Sequence, residues 1–134
     1  MSGTHMPRVR RVGVALVFLW FLVGGIAHFA ATELEMRIVP PWMPWPRAVV
    51  IVSGVFELLG AAGLLWLPTR RIAGIGLFVL TVLVTPAHVY MLRRPELFNL
   101  PYWLLVVRLP VQVALLVLIA WATITPPMRP DDGR

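Results

Sequence analysis

Four long apolar runs, separated by short polar or proline-rich breaks, organise the chain. They cover about residues 9–30, 48–67, 72–92 and 101–124. Each is close to the ~20 residues that a helix rising ~1.5 Å per residue needs to cross a ~30 Å hydrocarbon layer. The connections after the first are short, and short connections set neighbouring helices antiparallel. The pattern predicts an all-α membrane protein, a single domain over residues 1–134 built as an antiparallel four-transmembrane-helix bundle. Arg8, Arg10 and Arg11 precede the first run as in a secretory signal. That run is too long for one, however, and Phe29-Ala30-Ala31 makes a poor cleavage site, so it is read as a retained helix. Met1–His5 form a polar leader outside the fold.

Composition strengthens this reading. With 59% hydrophobic and 13% charged residues in 134, a soluble domain could not hide its apolar surface, since much of any small fold stays in contact with water. All 12 basic residues are Arg, against 6 acidic ones, for a net charge of +6. They cluster at the ends of the apolar runs instead of forming a stripe, which excludes nucleic acid and makes them a topology signal. Arg8, Arg10, Arg11, Arg70, Arg71, Arg129 and Arg134 fall on one side; Arg37, Arg47, Arg93 and Arg94 fall on the other. The bias places both termini in the cytoplasm. Cysteine is absent, which excludes disulfides, thiolate metal sites and dithiol relays within the chain. A redox role would need a cofactor or a partner.

The break over residues 32–47 is expected to cap the outer surface. Its prolines from Pro40 to Pro46 prevent a regular helix, while Trp42 and Trp45 suit the membrane interface. It reads as an interfacial anchor or as a lid over a ligand site.

Several polar residues interrupt the spans. Glu57 lies roughly 13 Å and Arg108 roughly 10 Å inside the same boundary, so depth makes them candidate partners. An intramembrane charge must be paired, protonated or hydrated, and it marks a site unless it only holds helices together. Ser53, Gly54, Gly60 and Ala61 leave the face around Glu57 nearly bare, which allows close packing or a cleft. Gln112 follows Arg108 by one turn. Thr81, Thr85 and His88 form one stripe, and His28 follows Gly24 and Gly25. The threonines alone read as bonding their own helix backbone, and the histidines alone as reaching toward headgroups. Pro86 and Pro110 remove the partners of the Val82 and Val106 carbonyls and predict bends that open cavities. Together these features predict a polar pocket toward the outer leaflet, lined by His28, Glu57, His88, Arg108 and Gln112, with Ser53 and Thr85 as further ligand-binding candidates. His and Glu are ligand types for zinc or non-haem iron, but no close helical spacing supports a metal site.

The motifs Gly25-Ile-Ala-His28-Phe29, Ile38-Val-Pro-Pro-Trp-Met-Pro44, Ser53-Gly-Val-Phe-Glu57-Leu-Leu-Gly60, Leu67-Pro-Thr-Arg-Arg71, Pro86-Ala-His-Val-Tyr-Met91 and Arg108-Leu-Pro-Val-Gln112, in this order over nearly the whole chain, resemble the DoxX family of small four-helix bacterial membrane proteins. One departure is His88, where relatives carry Asn. The resemblance implies a multi-pass protein of the bacterial inner membrane. Some family members resemble the small subunit of a thiosulfate:quinone oxidoreductase, and others are associated with membrane complexes for oxidative-stress defence.

Three functions are then expected. In the first, the chain is a subunit of a membrane oxidoreductase system that binds a quinone or another small amphipathic molecule. Arg108, Gln112 and His88 would donate to its carbonyl oxygens, Glu57 would orient Arg108 or relay a proton, and Phe21, Phe29 or Trp103 would wall the ring. In the second, it is a non-enzymatic scaffold or transport accessory. In the third, it is an isomerase of a lipid-soluble substrate, moving a proton between Glu57 and a histidine. Partners are the bilayer and a membrane or redox protein, with self-association and enzymatic turnover left open.

Overall fold

The computed structural model describes residues 6–126, all of whose regular elements are helical. They are α1 Arg8–Ala30, α2 Thr32–Met36, α3 Pro46–Leu64, α4 Leu67–Leu83, α5 Thr85–Arg93 and α6 Tyr102–Ile119, with a 3₁₀ turn at Pro95–Leu97. A π-helical stretch, Ala120–Ile124, prolongs α6. Counting α4 and α5 as one, four spans of 23, 19, 27 and 23 residues are long and apolar enough to cross a membrane. The leader and the two C-terminal arginines, Arg129 and Arg134, lie outside the described residues.

Two boundaries differ from the sequence expectation. α3 stops at Leu64 and not at Leu67, and the next span starts at Leu67 instead of Ile72. Leu65 and Trp66 make the turn, so hydropathy runs through it unbroken. The signal is Pro68 in the first turn of α4, where a missing N–H costs nothing because that group has no intrahelical acceptor. The break over 32–47 also holds more order than expected, in the form of α2. Trp45 precedes α3 with φ 52°, a left-handed conformation uncommon outside glycine.

Chain reversal at Leu65–Trp66 would leave the last carbonyls of α3 unpaired in an apolar setting. The first turn of α4 supplies them. Thr69 donates its hydroxyl to the Gly63 carbonyl at 2.7 Å, and Arg70 donates Nε–H to the Leu64 carbonyl at 2.8 Å. A cation at a helix C-terminus is favourable in its own right. Arg70→Ala is therefore expected to destabilise the protein by about 1–2 kcal/mol, seen as a lower unfolding temperature in detergent with helix content unchanged.

α1 lies along α3, α3 along α4, and α4 against α6 and its π extension, which returns to α1. Residues that meet run in opposite order along each pair. Gly25 adjoins Leu58 while Gly54 adjoins His28, and Gly60 adjoins Leu77 while Gly63 adjoins Ala73. Gly74 adjoins Thr123 while Gln112 bonds the Thr81 carbonyl. Buried positions recur at spacings of three and four, the signature of helices packed along one seam: Val14, Val17 and Phe21; Val50, Gly54, Ala61 and Leu64; Leu105, Gln112, Leu115 and Ile119. The main core combines Val14, Val17, Phe21, Ala61, Leu64, Leu77, Leu115, Ile119 and Ala122. It gathers toward the turn end of the bundle, marked by Leu65–Trp66; the opposite, loop end holds Ala30, Pro46, Arg93 and Tyr102. Arg10 closes the turn end by donating Nε–H to the Ala122 carbonyl at 3.1 Å and its terminal guanidinium to the Thr125 carbonyl. Only 17–28% of the residues in each apolar stretch are buried, so most apolar side chains face outward.

Candidate functional site

At the loop end the inward seams change character. Val50, Gly54, Ala61 and Leu64 skip one step of their three-four spacing, and that step is Glu57. Leu105 and Gln112 bracket Arg108 in the same way, Thr81 and Met91 bracket His88, and the α1 seam of Phe21 and Gly25 continues to His28. Each span thus carries one ionisable residue at an inward position in the same half of the molecule, and all four are half-buried.

The four divide into two clusters. Between α1 and α3, His28 Nε2 lies 3.7 Å from Glu57 Oε2, and the two side chains are 15% and 12% exposed. Its other ring nitrogen, Nδ1, lies 3.9 Å from Glu35 Oε2 on α2. The imidazole stands between two carboxylates. Glycine makes the approach possible: a Cβ on Gly24 would come within 3.0 Å of Glu57 Oε2, and one on Gly54 within 2.7 Å of His28 Cβ. The second cluster joins the third and fourth spans. An Arg108 guanidinium nitrogen lies 3.3 Å from His88 Nε2, and Gln112 donates its amide to the Thr81 carbonyl at 2.7 Å.

The expected Glu57–Arg108 pair does not form within 4.0 Å among the described residues. Equal depth made the two candidate partners, but α3 packs on α1 and α4 whereas α6 packs on α4, α5 and α1. Each charge meets the histidine of an adjacent helix instead.

Gln112 ties the fourth span to the third at a break in the helix. Pro86 breaks the third span between Leu83 and Thr85, and the Thr81 carbonyl beside that break accepts both the Gln112 amide and the Thr85 hydroxyl, the latter at 3.1 Å. A neighbouring helix thereby bonds backbone beside the break that Pro86 makes. Thr81 donates to the Leu77 carbonyl at 2.6 Å, so both threonines bond their own helix. Ser53 is half-buried one turn before Glu57. Of the expected ring walls, Phe21 belongs to the core, Trp103 is exposed, and Phe29 adjoins Gly54 near His28.

Glu35 is an addition to the expected residues. It sits in a segment that reads as irregular loop, and only the folding of Thr32–Met36 into a helix turns it toward His28. The weak signal is its spacing, seven residues and about two helical turns after His28.

Two open grooves of about 830 Å³ indent the surface. One runs between α3 and α4 over Gly60, Gly63 and Gly76 with Phe56, Trp66 and Leu80, and is almost wholly apolar. The other lies between Pro41–Trp42 and α5, with Thr85, Tyr90, Arg93 and Arg94. Apart from Thr85, none of the expected pocket residues lines either groove, and the polar groups sit in helix interfaces. Among the described residues no set of three His, Asp or Glu side chains is arranged to hold a metal ion.

Residues 16–125, from the first turns of α1 through the π-helical end of α6, match a family described as Domain of unknown function (DUF8561). The chain belongs to this family. The DUF8561 region contains both polar clusters, Glu35 and every other candidate residue, and leaves out only the two ends of the chain. No curated protein and no solved structure matches it.

Proposed function

We propose that this DUF8561 protein spans the bacterial inner membrane as an up-down-up-down bundle, with its turn end and both termini in the cytoplasm. There it acts as a DoxX-like subunit of a membrane oxidoreductase system and holds a small amphipathic ligand, such as a quinone, among the polar groups in the outer half. The opposite order of contacts along each helix pair supports the topology, and the arginine bias supports the orientation.

One observation carries the ligand. At the polar end, both ring nitrogens of His28, Glu57 Oε2 and His88 Nδ1 are buried without a hydrogen-bond partner. Unpartnered buried polar atoms are costly, more so in a lipid environment, and a ligand headgroup that hydrogen-bonds Glu57 and His28, or the free nitrogen of His88, would relieve that cost. Its apolar body would lie among the neighbouring side chains, such as Phe29, which adjoins Gly54 as His28 does. Native mass spectrometry with lipid extraction on gently solubilised protein tests this. A small molecule is expected to copurify with the wild type and to be lost from folded Glu57→Gln; empty protein in both cases would end the proposal.

A second reading rests on the same geometry. The Arg108–His88 and Gln112–Thr81 contacts each join the third span to the fourth, and Glu57 lines neither surface groove. A scaffold or transport accessory that assembles with another membrane protein needs no more than such ties. Removing Arg108 separates the two readings.

A further inference from the structure

Among the described residues, the imidazole of His28 is the one side chain that faces a different carboxylate with each of its ring nitrogens. Nδ1 is 3.9 Å from Glu35 Oε2 and Nε2 is 3.7 Å from Glu57 Oε2. Exposure falls along the series, from 26% for the Glu35 side chain through 15% for His28 to 12% for Glu57. The three groups therefore run from the loop-end surface to the interior. We infer that His28 is a proton relay connecting Glu35 at the surface with Glu57 inside. The inference rests on the reading above, in which Glu57 belongs to the site.

The chemistry needs no outside reagent. Neutral His28 carrying its proton on Nε2 takes a proton from the Glu35 carboxylic acid onto Nδ1, and the Glu35 O–H bond breaks as the Nδ1–H bond forms. The Nε2–H bond then breaks and its proton passes to the Glu57 carboxylate, forming a carboxylic acid. One proton leaves Glu35, one arrives at Glu57, and the ring ends as the other neutral tautomer. Imidazole suits this step because its two nitrogens accept and donate independently. Each gap exceeds hydrogen-bond length by roughly 1 Å, a distance that side-chain rotation covers.

The surroundings leave the relay undisturbed. Arg47 is bound to Glu33 at 3.0 Å, and Arg37, two residues after Glu35, makes no ion pair with it within 4.0 Å among the described residues. Arg108 makes no ion pair with Glu35 or Glu57 among the described residues. On α1 the carboxylate of Glu57 lies beside the bare backbone of Gly24 and the His28 ring, and Gly54 of α3 lies against the base of that ring. Glu35 occupies the open side of the ring, so it is the one acid placed to exchange protons between solvent and Glu57 through His28.

Infrared spectroscopy of the ligand-free protein in deuterated, mildly acidic buffer tests the relay. The Glu57 carboxylic acid band is identified by its absence in Glu57→Gln, and its rate of hydrogen-to-deuterium exchange is read directly. His28→Phe and Glu35→Gln are each expected to slow that exchange at least tenfold while leaving the band in place, which a purely structural role would not do. An unchanged rate in both variants overturns the relay, as does a wild-type protein that shows no such band. If His28→Phe fails to fold, Glu35→Gln decides alone, because its side chain is the most exposed of the three. No ligand is present in this experiment, so its failure leaves ligand binding standing, and an empty protein in mass spectrometry leaves the relay to be judged by exchange.

Discussion

Gly74→Ala is expected to destabilise the protein by about 2–3 kcal/mol, although alanine is the better helix former by about 1 kcal/mol. Gly74 is buried in α4, and a Cβ there would collide with both the hydroxyl and the Cβ of Thr123. Thr123 cannot yield cheaply. It is buried in the π-helical stretch, and its hydroxyl is donated to the Ile119 carbonyl at 2.6 Å. Relief would require moving α4 away from the end of α6, which opens the seam at Leu77 and Ile119 in the main core. Thermal unfolding in detergent should show a midpoint lower by roughly 10 °C. Thr123→Gly should be costly by itself yet restore part of the loss when combined with Gly74→Ala. A wild-type midpoint for Gly74→Ala would mean that the fourth span does not pack on the third as described.

The four spans are legible in the sequence because a membrane-spanning helix must satisfy its own backbone, which forces long apolar runs that few other structures need. The turn at Leu65–Trp66 is not legible from hydropathy, because its own residues are as apolar as the helices it joins and its carbonyls are bonded by Thr69 and Arg70 of the next helix; Pro68 marks its position. Burial is also written in the chain. The three-four spacing through Val50, Gly54, Glu57, Ala61 and Leu64 is enough to place Glu57 on the inward face of its helix.

Partners are harder to read than burial. Depth along a helix follows from counting residues, but which helices are neighbours depends on how all the seams pack together, and that is a property of the whole fold. Hence depth pairs Glu57 with Arg108, whereas the packing of α3 against α1 sets Glu57 against His28. Glu35 shows the same limit from another side. A five-residue helix has too few turns for a detectable periodicity, and the contact that matters is made across to a different helix.

Arg108→Leu is expected to leave stability unchanged or raise it slightly, and to abolish retention of the ligand. A half-buried arginine within an apolar span is expensive, by up to about 2.5–3.5 kcal/mol, the figure that insertion scales give for the centre of a membrane span. Its side-chain contact is with His88 Nε2 at 3.3 Å, a contact to a ring that is itself partly desolvated. Hydrophobic replacement of such a group is often neutral or stabilising. Leucine would extend the apolar seam of Leu105 and Leu115, and the break at Val84 would stay bridged by Gln112. The scaffold reading makes the opposite prediction: an arginine kept to fasten the fourth span to the third should lower the unfolding midpoint when removed. Ligand retention in native mass spectrometry should fall at least tenfold if Arg108 holds a headgroup, because a charged hydrogen bond in a desolvated site is worth more than the ~1.4 kcal/mol of one decade. Midpoint and retention, measured on one preparation, therefore divide the readings. Lost ligand with an intact fold makes Arg108 a binding residue, and lost stability with nothing bound in the wild type makes it a helix tie.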